Sequence, residues 1–479
     1  MKVLYVASEV APFIKTGGLG DVAGSLPQAL AEQGCEVAVV CPLYSQIAQD
    51  WRDKMYFVSS LYVQLAWRNQ YCGIFRLKKD GVTYYFLDNE YYFKRRQVYG
   101  EYDDAERFAF FCRAVLDMLP VVDFKPDVMN CNDWQTALVP VYYGIHYGYR
   151  SWYEGIKTVF TIHNIQYQGQ FGSQITDYVL GIDRYHYDNG FLQQDGDVNL
   201  MKSAIVCSNR VTTVSPTYAQ EIQTPYYGYR LDSVLRWYQG KVSGIINGLD
   251  VKQYDPATDT HLFKNYTVDT LEDKKANRDG LLEMCGLKAD DDTMVIGMVG
   301  RLVSQKGLDL VQCVLGEILS LNVRLIVLGT GDYEYEQMFL NAKGWAGDKI
   351  SANIMFNGDL ANKIYAGSDI LLMPSLFEPC GLAQMIAMRY GTLPLVRETG
   401  GLKDTVHPYN EFTGEGNGFS FADYNAHDML HVIENACGLF ANNKEAWKTL
   451  QIAGMKGDYT WTASAQNYID VYDLAIKYN

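Results

Sequence analysis

None of the chain's ten cysteines is paired as C-x-x-C. Thiols scattered in this way fit a reducing compartment better than a disulfide framework or a zinc site. The seven histidines form no ligand-like cluster, and Asp290-Asp291-Asp292 reads as a solvated loop, so no metal site is expected. Basic residues are in deficit. With 41 Lys and Arg against 56 Asp and Glu, the net charge is −15, which argues against nucleic acid or an anionic membrane as partner. No apolar run approaches membrane-spanning length. The apolar stretch after Met1-Lys2 could mimic a leader, but Glu9 interrupts it and a glycine turn follows, so a cytoplasmic location is expected. Low-complexity segments and short internal repeats are also missing.

What remains is a globular composition, 48% apolar, on a chain of 479 residues, too long for one ordinary core. Apolar runs alternate with amphipathic stretches in both halves, the pattern of mostly parallel sheets. In the first half, strands are expected at 3–7, 36–40, 127–131, 158–162, 210–215 and 242–246, with a hairpin over 72–77 and 82–87 at a sheet edge. In the second half they are expected at 294–299, 324–328, 370–373 and 393–396. The polar segment 251–278 separates the halves. These spacings place a first domain at 1–249, a second at 250–458, and a terminal helix at 459–479 that could cross back onto the first.

A protein of this net charge needs a local basic pocket to bind a polyanion, so cations beside glycine turns stand out. Lys15-Thr16-Gly17-Gly18-Leu19-Gly20-Asp21-Val22 follows the first strand and precedes a helix. Such a cluster lets backbone N–H groups approach an anion, and Lys15 adds charge at its mouth. A dinucleotide turn would need G-x-G-x-x-G and an acid closing the second strand. Here the glycines are Gly18, Gly20 and Gly24, and the second strand ends in Cys41-Pro42. A phosphate cradle fits better than NAD.

Arg301 and Lys306 flank the turn after strand 294–299. Two cations at a helix N-terminus oppose the macrodipole, which suggests a diphosphate between them. Glu378 lies in Phe377-Glu378-Pro379-Cys380-Gly381 before an apolar helix, where it could accept from sugar hydroxyls or from helix N–H groups. Cys380 could be a nucleophile, though a small buried filler suits it better. His163-Asn164 ends one strand and Asp133 another; the two could form an acid–base pair, or Asp133 could be one of two carboxylates flanking a glycosidic bond.

Assembled in order, Lys15–Val22, His163–Gly169, Gly300–Gly307, Pro374–Gly381 and Gly391–Val406 resemble the motifs of the bacterial glycogen synthase and plant starch synthase family over essentially the whole chain. The resemblance implies an α/β fold of two Rossmann-like domains facing across a cleft, the GT-B glycosyltransferase arrangement. It implies transfer of glucose from ADP-glucose to the non-reducing end of an α-1,4-glucan such as glycogen, with retention and without a cofactor. Lys15, Gly17, Gly18, Arg301 and Lys306 match phosphate-binding positions, and Glu378 matches the key acid near the donor glucose, beside Cys380 and Gly381. His163 and Asn247 match sugar-binding positions, while Asp21, Asp133, Asn164 and Tyr167 fall on the acceptor side. Phe356 stands where the family places an aromatic near the base. Two departures are visible. Tyr226-Tyr227-Gly228-Tyr229-Arg230-Leu231-Asp232 replaces a glycine-rich segment, and Asn132 stands where many members carry histidine. A UDP-glucose enzyme, another retaining transferase and a silent glucan-binding scaffold are the competing readings.

Overall fold

The computed structural model describes residues 1–478. The chain divides into two compact units, one made of Met1–Gly248 with Trp461 onward, the other of Leu249–Thr460. The terminal helix Trp461–Lys477 thus belongs to the first unit. There Tyr472 donates to Asn130 Oδ1 at 2.6 Å, and Ser464 donates to the Ile246 carbonyl at 2.6 Å.

The first unit is built on a nine-stranded sheet. Its first strands are β1 (Lys2–Val6), β2 (Glu36–Pro42), β3 (Tyr56–Leu65), β4 (Arg68–Lys79), β5 (Val82–Asp88), β6 (Val128–Asn132) and β7 (Lys157–Ile162). A small separate sheet holds β8 (Gln170–Phe171), β9 (Gln193–Gln194) and β10 (Asp197–Asn199), before β11 (Arg210–Thr213) and β12 (Val242–Gly244) return to the main one. The order is β12-β11-β7-β6-β1-β2-β5-β4-β3, parallel except where β4 meets β3 and β5. The expected hairpin is therefore one side of a three-strand edge, whose outermost member β3 went unread. The sheet order reverses beside β1, which pairs with both β2 and β6.

The second unit has a fully parallel six-stranded sheet: β13 (Met294–Val299), β14 (Val323–Leu328), β15 (Ile350–Asn353), β16 (Ile370–Met373), β17 (Leu393–Arg397) and β18 (Phe419–Phe421). Strand side chains alternate between faces, and both faces here are covered. Met294, Ile296 and Met298 of β13 enter one core with Leu325 and Val327, while Val295 enters a second core with Ile326 and Leu328. This double burial is why these strands read as unbroken apolar runs. The order β15-β14-β13-β16-β17-β18 reverses between β13 and β16. In open α/β sheets such reversals leave a crevice at the carboxyl ends of the strands, where ligands bind.

The turns beyond those ends are pressed together, backbone on backbone. Gly307 has φ +71°, and a Cβ there would lie 1.9 Å from the Pro374 carbonyl oxygen. Gly400, at φ +44°, would meet the Glu378 carbonyl at 2.0 Å. No side chain fits either place. Gly307→Ala is therefore expected to cost more than about 4 kcal/mol, the range reserved for named steric failures. Gly316→Ala, at an open site in the helix Leu308–Ser320, should be neutral or stabilising by about 1 kcal/mol. Denaturant midpoints of the two variants check this, and equal midpoints would refute the packing argument.

Candidate functional site

At the reversal point of the second unit lies a cavity of ≈ 250 Å³. Gly300, Arg301 and Lys306 line it from beyond β13, and Pro374, Ser375 and Glu378 from beyond β16. Glu378 is buried, and its Oε2 accepts from Lys306 Nζ at 2.6 Å and from Ser375 Oγ at 3.1 Å. Of the two roles open to that carboxylate, capping the next helix is not the one seen. The helix itself begins at Ala383, and it is the Glu378 carbonyl, not the carboxylate, that receives Gly401 N–H at 3.2 Å. Gln305 ties the two turns together: its carbonyl accepts from Leu376 N–H at 2.9 Å and its amide donates to the Phe377 carbonyl at 3.2 Å. Arg301 is exposed and has no protein partner among the described residues. The two cations are thus unlike. Lys306 is already neutralised, whereas Arg301 is free for an anion.

In the first unit the glycine stretch is less loop than expected. The helix begins at Gly18, so Gly18 and Gly20 form its first turn and Gly17 is the N-cap. Gly24 lies where a Cβ would meet the Ala11 carbonyl at 2.7 Å, so its reason is packing. The turn's donors are not free either. Glu9, buried to 3% exposure, accepts from Thr16 N–H, from Thr16 Oγ1 at 2.7 Å and from Gly17 N–H at 3.3 Å. An internal carboxylate thus occupies part of the cradle, because a desolvated carboxylate must find donors. Desolvation still raises its pKa above the ordinary glutamate value. Lys15 remains at the surface, paired with Asp21 at 2.7 Å.

Beside β1, the end of β6 carries Asn132 and Asp133, and the end of β7 carries His163 and Asn164. The acid–base pair of His163 with Asp133 is not formed: Asp133 Oδ1 accepts from the backbone N–H of His163 at 2.8 Å. The ring instead meets Asn132, with Nε2 2.9 Å from Oδ1. Asn132 Nδ2 donates to the Val6 carbonyl at 2.9 Å, which fixes the amide so that Oδ1 faces the ring and the Tyr5 hydroxyl. Nε2 must then carry the hydrogen, leaving Nδ1 as an acceptor. Desolvation lowers the His163 pKa to about 3, so the ring is neutral. Asp133 has φ 57° and ψ 178°, a conformation that only glycine adopts easily, and desolvation raises its pKa to about 7. Strain and a displaced pKa together mark functional positions.

The other expected residues are scattered. Asn247, beyond β12, is buried with Oδ1 lacking any hydrogen-bond partner. Asn164 Oδ1 accepts from Gln166 N–H at 3.0 Å and so shapes its own turn, while Tyr167 is exposed. Gly381 lines the second unit's cavity, but Cys380 is buried outside that lining. Phe356 is 96% exposed on the turn after β15 and forms no part of the cavity. Tyr229 and Arg230 have φ 45° and 71°, so the segment replacing a glycine-rich one keeps glycine-like backbone. Glu9 and Asn132 were missed as site residues. The only signal for Glu9 was an acid breaking an apolar run.

Two measurements test this electrostatic picture. Asn132→Asp places a carboxylate against Nε2 and should raise the His163 pKa by more than one unit, read by NMR titration; an unmoved value would break the assignment. Asp133 holds its proton in the folded state up to about pH 7, but releases it in the unfolded chain near the ordinary aspartate value of 3.8. The folded state thus binds more protons between those values, and this residue's contribution to stability falls as pH rises through the window. Asp133→Asn should therefore gain stability over the parent progressively from pH 4 to 7; a gain independent of pH would overturn it.

Residues 2–237 match the starch synthase catalytic domain family, and residues 285–438 match the glycosyl transferases group 1 family. The chain is 51% identical over 477 residues to a glycogen synthase of Geobacillus thermodenitrificans, covering 100% of this chain and 98% of the relative. It is likewise 51% identical over 473 residues to a glycogen synthase of Clostridium beijerinckii, covering 98% of each. The solved starch synthase IV catalytic domain from Arabidopsis thaliana, bound to ADP and acarbose, matches with TM-score 0.90 and 33% identity over 99% of both chains. A sucrose-phosphate synthase from Thermosynechococcus elongatus shares the fold, with TM-score 0.61 at 15% identity. The fold is of the GT-B class, and the chain belongs to the glycogen synthase and starch synthase family of glycosyltransferases.

Proposed function

We propose that this enzyme transfers glucose from ADP-glucose to the non-reducing end of an α-1,4-glucan, with retention at the anomeric carbon. The observation that carries the reading is the second unit's cavity, where an unpaired Arg301 and a carboxylate-bound Lys306 stand at the topological switch point. The bound ADP in the Arabidopsis starch synthase IV structure supports an adenine nucleotide. Lys15 and the Gly17–Gly18 backbone are proposed to serve the donor phosphates too, and Asp21, Asp133, Asn164 and Tyr167 the acceptor side. No helix among the described residues is long and apolar enough to cross a membrane. We place the reaction in the cytoplasm, a reading supported by ten cysteines that are all unpaired.

In the proposed step the acceptor 4-hydroxyl oxygen attacks the glucose anomeric carbon as its bond to the phosphate oxygen breaks. The electron pair leaves with ADP. The acceptor's proton passes to the departing phosphate oxygen on the same face. Arg301 and Lys306 stabilise the charge that grows on that oxygen. A covalent route would use Glu378 as nucleophile, but its Oε2 is held by both Lys306 and Ser375. Those bonds lower its nucleophilicity and favour the same-face route. The neutral His163 ring, with Nδ1 as acceptor, suits a sugar hydroxyl.

Incubation with labelled ADP-glucose or UDP-glucose and glycogen tests the reading. Faster incorporation from ADP-glucose is expected; a preference for UDP-glucose would replace the donor, and no incorporation from either would leave a glucan-binding scaffold. Arg301→Ala and Lys306→Ala should each lose about 2–4 kcal/mol of transition-state stabilisation in kcat/KM, the size seen when one electrostatic stabiliser is removed. An unchanged kcat/KM would remove them from the mechanism.

A further inference from the structure

The second unit holds a further charged cavity, larger than the one beside Arg301. A pocket of ≈ 350 Å³ lies at the opposite, amino-terminal edge of the same sheet, near Asp369 just before β16 and Asp291 shortly before β13. It is walled by the start of the helix Lys274–Met284 and by the helix Lys444–Met455. Its volume falls within the range of small-molecule sites.

The charge of its lining is opposite to that of the protein. Lys274, Lys275, Arg278, Lys444 and Lys448 face Glu272, Asp291 and Asp369, on a chain whose net charge is −15. The cations of the lining differ in how far they are paired. Lys274 is buried beneath the pocket and binds only neutral acceptors, the Ala366 carbonyl at 2.6 Å, the Tyr390 carbonyl at 3.0 Å and Thr392 Oγ1 at 2.8 Å. Burial of an ammonium without a contacting carboxylate lowers its pKa to about 7. Arg278 spends its guanidinium on the Asp290 and Thr293 carbonyls and reaches Asp369 only at 3.4 Å. Lys275 pairs with Asp291. Lys444 sits 3.6 Å above the Phe440 ring, with Asp292 at 3.5 Å. Lys448 has no partner among the described residues.

Two further features select among anions. Phe440, Trp447 and Leu271 give the pocket an apolar wall suited to a carbon skeleton. The buried Trp447 indole N–H also has no acceptor, an exception among buried donors. Lys448, without a partner, and Lys275 and Lys444, paired only with exposed acids, can turn toward the oxygens of a phosphate monoester.

We propose that this pocket is a second ligand site, for a small organic phosphate monoester, with Lys275, Lys444 and Lys448 holding the phosphate and Phe440 and Trp447 facing the carbon skeleton. It is independent of the donor reading, since none of its residues lines the Arg301 cavity.

Calorimetric titration of the full chain, with ADP present in excess to fill the donor cavity, tests the site. The probes are glycerol 3-phosphate, ribose 5-phosphate, inorganic phosphate and ribose. The two esters are expected to bind, ribose not, and inorganic phosphate more weakly than either ester. A Lys275→Ala, Lys448→Glu double variant should weaken ester binding at least about tenfold, while Arg301→Ala should leave it intact. Both lysines are surface residues, and Lys448→Ala alone, with a smaller loss, guards against a folding defect. The proposal falls if no ester binds, if inorganic phosphate binds as tightly as the esters, or if Arg301→Ala abolishes binding that the lysine variants retain.

Discussion

A carboxylate withdrawn from water must be supplied with donors, and that requirement shapes the strand ends of both units. Glu9 gathers Thr16 and Gly17 and so sets the entry to the first helix. Asp133 takes the backbone N–H of His163 and thereby joins the ends of β6 and β7. Glu378 holds Lys306 and Ser375, joining the ends of β13 and β16. Each acid bonds to residues from a neighbouring turn, so the loops are fixed by polar demands rather than by apolar packing. Loops of this kind hold functional groups in place before a ligand arrives.

Glycine answers the complementary demand, which is space. Gly307 against Pro374 and Gly400 against Glu378 allow turns from different strands to touch through their backbones. A close backbone approach and a part-buried ion pair together tie this corner of the second unit.

This division explains which parts of the molecule were legible in the sequence. Strands β13 and β16 were placed to the residue, because burial on both faces writes an apolar run that needs no partner to be recognised. The polar residues ending those runs were legible for the same reason, and so were Arg301, Lys306 and Glu378. Edge elements were not. β3 exposes Tyr56 and Tyr62 and mixes polar with apolar positions, so its pattern is that of a surface. In β15 Ser351 and Asn353 interrupt the apolar run, and β18 has only three residues. Partnerships were hidden as well, since spacing cannot tell that His163 presents its backbone to Asp133 and its ring to Asn132. Phe356 is placed by likeness alone, and it stands 96% exposed on the turn after β15.

On the proposed reading, the unlike states of Arg301 and Lys306 bear on how charge is stabilised during transfer. A guanidinium cannot lose its proton in a protein, so Arg301 can stand unpaired at the cavity mouth without neutralising itself. Lys306, only partly exposed, is oriented by the Glu378 carboxylate. Fixing it in advance removes the reorganisation that a mobile lysine would undergo as the phosphate charge grows. The same pairing tempers its attraction to the resting diphosphate, because part of its field is already spent on Glu378. Stabilisation is then weighted toward the moment when the leaving oxygen becomes most negative, which is the condition for binding energy to lower the barrier rather than merely tighten the ground state.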